Sequence, residues 1–147
     1  MNDRGAWLIE LAARPIGGRC SAALRFASGE RGAASGWVSL EELILRHAVG
    51  MKLPTFEREP QASGVMMIPV PGGGALREVL GLEEARAVPL VEEIAITAHR
   101  GQVLVPWPEG SRYPGFIFAR GETPAAVETA LRAAHGRLRF VLESARA

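Results

Sequence analysis

The run "GFIFARGETPAAVETALRAAHGRL", Gly115 to Leu138, decides the architecture. Phe116, Ile117, Phe118 and Ala119 read as a short apolar strand. Thr123 follows where a helix cap belongs, and Pro124 takes the first helical position, where a missing N–H costs nothing. Val127, Ala130, Leu131, Ala134 and Leu138 then form one stripe at helical spacing. "RFVLE" (139–143) closes as another strand. A strand, a capped amphipathic helix and a strand in immediate succession point to sheet packed against helix.

Working outward, "SGVMMIPV" (63–70), "GGGALREVLG" (72–81), "VEEIAIT" (91–97) and "QVLVPW" (102–107) read as further strands. The alternation in "VEEIAIT" is imperfect, since Val91 falls out of step with Ile94 and Ile96. "PGGGA" (71–75) is glycine-rich but lacks the lysine and Ser/Thr of a phosphate loop, and is expected to be a hairpin connection. Upstream, "SLEELILRHAVG" (39–50) is a second helix: Ser39 and Glu42 make a capping box, Leu40, Leu43, Ile44 and Ala48 share a face, and Gly50 suits the stop. "CSAALRF" (20–26) has helical spacing without a strong cap. "ASGERGAASG" (27–36) reads as a loop, and "PTFEREP" (54–60), charged and framed by prolines, is the best boundary. The first element, Trp7 to Ala12, is a short apolar run expected to be a buried strand. The fold class is α+β.

Composition narrows the function classes. The 147 residues fit one domain, or a small domain plus part of another. Seventeen basic side chains face sixteen acidic ones, a balance that argues against a dedicated nucleic-acid binder. One cysteine excludes an internal disulfide framework. No apolar run is long enough to span a bilayer, and "MNDRGAWLIE" does not read as a secretory signal. The expectation is a soluble cytoplasmic protein without membrane or nucleic-acid partners.

Candidate chemistry gathers near the N-terminus. In "AWLIELAARPIGGRC" (6–20) a carboxylate, Glu10, sits inside an apolar strand, where it is costly unless paired or metal-bound. In a regular strand Glu10 and Arg14 share a face. They read either as a hard-cation ligand beside an anion clamp or as an ion pair at a strand end. Gly17 and Gly18 read either as an anion-facing turn or as an ordinary tight turn. His47, His99 and His135 are scattered without metal-ligand spacing. Cys20 is expected to be a buried structural thiol. "PWPEGSRYPGF" (106–116) gathers Trp107, Tyr113 and Phe116 near Glu109 and Arg112, and reads as an interaction loop or a packed connection.

The stretches "WLIELAARPIGGRCSAALRF", "SLEELILRHAVG", "ASGVMMIPVP" and "VPWPEGSRYPGFIFARGETPAAVETALRAAH", in this order, resemble the C-terminal part of ATP-grasp carboxylate–amine ligases of the L-amino-acid-ligase-like kind. The resemblance covers almost the whole chain. It implies that residues 1–57 are the closing strand and helix of an ATP-grasp domain. It also implies that residues 58–147 are a small β-rich C-terminal domain with one main helix, similar to that of biotin carboxylase.

Such enzymes use ATP and magnesium to turn a carboxylate into an acyl phosphate that an amine attacks. The resemblance implies that Glu10 is a magnesium ligand, that Arg14 is a catalytic and substrate-binding arginine facing the carboxylate or its phosphorylated form, and that Gly17 and Gly18 line the substrate. Ala12 departs from the Glu-x-Asn of many relatives and cannot bind an ion, so metal affinity from this segment alone is expected to be weak. The family's phosphate-holding lysines, adenine pocket, glycine-rich lid and first metal carboxylate lie upstream of the matched region. Tight binding of ATP or Mg2+ by this chain alone is therefore not expected, nor is catalysis. The other reading is a free-standing, non-catalytic binding or assembly module. The expected partners are carboxylate and amine substrates in the full enzyme, and either a missing upstream ATP-grasp segment or a second copy in a homodimer.

Overall fold

The computed structural model of the chain describes residues 8, 11, 16–28, 36–53 and 56–143. A 3₁₀ turn, Cys20–Ala23, leads into β1 (Arg25–Ala27), β2 (Trp37–Ser39) and α1 (Leu40–Ala48). Then come β3 (Ala62–Met67), β4 (Gly74–Leu80), α2 (Leu82–Arg86), β5 (Val91–Ile96), β6 (Val103–Leu104), β7 (Gly115–Gly121), α3 (Pro124–His135) and β8 (Arg139–Glu143). Among the described residues the strands form three antiparallel sheets, ordered β1-β2, β3-β7-β5 and β6-β4-β8. The class is α+β, as the alternation of strands with one main helix implies.

The central sheet and α3 make the core. Thr123 caps α3 by accepting from the Ala126 N–H at 3.2 Å. The apolar stripe of α3 then presses Val127, Ala130, Leu131 and Ala134 onto Ile117 and Ala119 of β7 and Ile94 of β5. Removing the cap orphans an amide of the first turn. Thr123→Ala is expected to lower stability by about 1 kcal/mol in urea unfolding, with an unchanged denaturant slope.

Helix α1 is held at both ends by local chemistry. Ser39 accepts from the Glu42 N–H at 3.1 Å, and the Glu42 carboxylate accepts from Arg46. At the far end Gly50 adopts φ +72°, its N–H donates to the His47 carbonyl, and the Met51 N–H reaches Arg46. This 6→1 and 5→2 pair is a Schellman stop, and the left-handed residue it needs is the glycine.

Several expectations are corrected. "PGGGA" is not a hairpin: β3 pairs with β7, while β4 pairs with β6 and β8, so the glycines carry the chain from one sheet to another. "CSAALRF" makes one 3₁₀ turn and then a strand, because it is too short to repay helix nucleation and no side chain caps it. Helix α2 was invisible to periodicity at five residues. The imperfect alternation of "VEEIAIT" is a bulge between Val91 and Glu93, which returns Val91 to the core face with Ile94 and Ile96. The expected strand Trp7–Ala12 lies outside the described residues except for Leu8 and Leu11, both exposed.

Candidate functional site

Period-two alternation gives β7 two jobs. Ile117 and Ala119 face α3, so Phe116, Phe118 and Arg120 face the opposite side. The segment after Ile16 lies on that side. Gly17, Gly18 and Arg19 turn the chain, with the Cys20 N–H donating to the Gly17 carbonyl at 3.2 Å. Gly18 has φ +65°, and a Cβ there would stand 2.6 Å from the Met67 Sδ. The backbone angle favours glycine, and a Cβ there would oblige the flexible Met67 side chain to shift. The Arg19 guanidinium lies over the Phe118 ring at 5.2 Å and the Phe116 ring at 5.6 Å, which clamps the turn to the sheet.

Two residues beyond Phe118 on the same face of β7, Arg120 holds the same segment. It is 8% exposed, and its guanidinium donates to the Glu59 carboxylate, to Glu92 at 3.2 Å and to the Ala23 carbonyl at 3.1 Å. Glu59, 6% exposed, is as buried as its partner. Arg25 adds a second cation on Glu92 at 3.2 Å. A buried guanidinium with acceptors on separate sides is paired and hydrogen-bonded, which is the condition for leaving a charge inside. Ser21, also buried, lies next to this network, and its hydroxyl bonds the Glu41 carboxylate in the first turn of α1. That bond, with Glu41's own backbone N–H and Ser39, holds the Glu41 carboxyl below its ordinary value.

Of the sequence-expected site residues, Gly17 and Gly18 lie in this turn, and Glu10 and Arg14 lie outside the described residues. Among the described residues no group of three or more His, Cys, Asp or Glu side chains gathers as a metal site. Cys20 is half-buried rather than buried, with its Sγ 3.9 Å from the Gly18 carbonyl. His47 and His99 are exposed and His135 half-buried.

Sequence reasoning missed the residues that fix the turn: Arg19, Glu59, Glu92 and Arg120. One signal was available, because Phe116, Phe118 and Arg120 share a face by spacing. Their partners were not legible, since Glu59 is 61 residues from Arg120 and sits in what reads as a charged boundary.

The comparisons with known proteins bear on this arrangement. The family model described as L-amino acid ligase C-terminal domain 2 matches residues 66–143, more than half of the chain. A solved structure, the L-amino acid ligase from Bacillus licheniformis, is similar over 73% of this chain and 27% of that one, at 25% identity and a TM-score of 0.63. This chain thus spans about a quarter of that enzyme's length. No curated protein matches the chain significantly. Among the described residues no helix is long and apolar enough to cross a membrane. With the end of β3 and all of β4 to β8 inside the match to that domain model, the chain belongs to the L-amino acid ligase family and carries its C-terminal domain 2.

Proposed function

We propose that the chain is the C-terminal portion of a cytoplasmic, ATP- and magnesium-dependent carboxylate–amine ligase that works through an acyl phosphate. Residues 1–57 would close the ATP-grasp domain, and residues 58–147 form the small C-terminal domain. The observation that carries the reading is the Gly17–Gly18 turn, held by Arg19 and Arg120 on the domain that matches the family. The exposed backbone at Gly17 lets a substrate approach closely, and Glu10 and Arg14 lie just upstream of it in sequence. In this reading Glu10 binds the magnesium that supplies charge neutralisation at the phosphates. Arg14 faces the carboxylate and its phosphorylated form. Gly17 and Gly18 leave room for the substrate.

Phosphoryl and acyl transfer need groups converging on the phosphates from several directions. The chain alone is therefore expected to be inactive. The test is phosphate release with ATP, magnesium and a panel of amino acids. No sustained turnover is expected from this chain. A chimera that adds the preceding part of the Bacillus licheniformis ligase is expected to turn over and to lose activity with Glu10→Ala or Arg14→Ala. A chimera that turns over equally well with both substitutions overturns the site assignment. Turnover by the chain alone overturns the need for an upstream segment.

A second reading, a non-catalytic assembly module, is favoured by one observation. An apolar cavity of about 280 Å3 on α1 is walled by Phe26, Leu40, Leu43, Ile44 and Phe56, with Phe56 75% exposed. As a module alone such a face suits a second copy in a homodimer, whereas cover by an upstream ATP-grasp segment belongs to the first reading.

A further inference from the structure

We propose that the cavity beside the β6–β7 loop binds a carboxylate with an aromatic or branched apolar body, such as an amino acid or the C-terminal end of a peptide. The proposal is separate from the ligase reading and uses none of its site residues. The cavity has a volume of about 550 Å3, within the roughly 300–1,000 Å3 of small-molecule sites. Its walls include prolines and aromatic rings, with Pro69 from the exit of β3 and Pro106, Trp107, Pro108 and Tyr113 from the loop. Trp107 is 85% exposed. An indole left this open at the mouth of a cavity is apolar surface awaiting cover.

The polar lining commits the charge. Among the described residues Arg112 is the one ionisable cation in the wall, Ser111 stands beside it, and no acid lines this cavity. Glu109 lines the smaller neighbouring cavity, whose wall shares Val105, Gly110, Ser111 and Arg112 with this one, and it makes no ion pair with Arg112. Arg112 has no acidic partner among the described residues, so its planar fork is available. A single guanidinium fits one carboxylate in two parallel hydrogen bonds; a polyphosphate would need more positive charge than this wall supplies.

The site is also held in place. The Gly110 N–H donates to the Pro106 carbonyl at 2.8 Å, and the Thr97 hydroxyl donates to the Tyr113 carbonyl at 3.1 Å. The Tyr113 ring meets Phe116 edge-on, with centroids 6.2 Å apart. Loop ordering on binding is thereby reduced, which favours affinity.

The test is calorimetric titration of the chain with N-acetyl-L-phenylalanine, N-acetyl-L-phenylalaninamide and L-phenylalanine. The acid is expected to bind saturably and the neutral amide about tenfold more weakly, as loss of a charged hydrogen bond implies. Arg112→Gln is expected to weaken the acid by a similar factor and leave the amide unchanged. Trp107→Leu is expected to weaken both, and Arg100→Gln to change neither. All three side chains lie at the surface, and circular dichroism verifies that the variants fold. L-phenylalanine binding as well as the acetylated acid points to a free amino acid, and weaker binding points to a peptide end. No saturable binding, equal affinity for acid and amide, or indifference to Arg112→Gln overturns the proposal.

Discussion

Arg120→Ala is expected to cost about 3–5 kcal/mol of folding stability, the range for removing one partner of a buried charge pair. The substitution leaves Glu59 buried without its cation and removes the donor to the Ala23 carbonyl. It also leaves Glu92 with Arg25 alone, an exposed and weaker pair. The size of the loss is set by desolvation rather than by attraction. Replacing both members with apolar residues of similar volume should therefore recover most of it. Arg120→Met combined with Glu59→Leu is expected to be much closer to the parent than either single change. Urea unfolding of the four proteins completes the cycle. A single-variant loss below about 1 kcal/mol would mean that water reaches Glu59 and that the network is not closed.

Ile117→Ala should cost about 2–5 kcal/mol for a different reason. Ile117 is fully buried on the middle strand of the central sheet, opposite Met66 on one side and Ile94 on the other. Its neighbours are fixed by two strand ladders and by α3, so the space left by three carbons cannot readily collapse. Ile117→Val removes one carbon and is expected to cost about 0.5–1.5 kcal/mol. Thermal or urea unfolding of the pair gives the gradient. Equal losses for Val and Ala would refute a cavity explanation and point instead to distortion of the strand.

What the sequence revealed of this structure follows the range of the interactions. Ser39, Gly50 and Thr123 were legible because a cap and its amide lie three residues apart, and the strand–helix pair ending in α3 was legible for the same reason. Strand partners were not. Nothing between Met67 and Gly74 states that β4 leaves β3 for another sheet, because that choice belongs to β7 and β8, both more than forty residues downstream. The bulge at Glu92 announced itself only as a broken alternation. At the site, the glycine turn was legible from its own residues and its substrate role came from resemblance, but its docking was not legible, because Arg19 and Arg120 act on rings and carbonyls about a hundred positions away.

The way β1 is tied has a consequence for how this chain can be altered. The Ala27 N–H donates to the Glu57 carbonyl and the Glu59 N–H donates to the Arg25 carbonyl, both at 3.0 Å. The chain therefore departs and returns at the same point, and β2 and α1 belong to an excursion with a stitched base. Lengthening such an excursion changes its closure entropy only logarithmically, by about 0.6 kcal/mol per doubling. Grafts, tags or a swapped helix placed between Ser28 and Phe56 would leave the anchor points where they are. Opening of this unit while β3, β5 and β7 stay folded is the expected result of hydrogen exchange, read as two separate levels of protection.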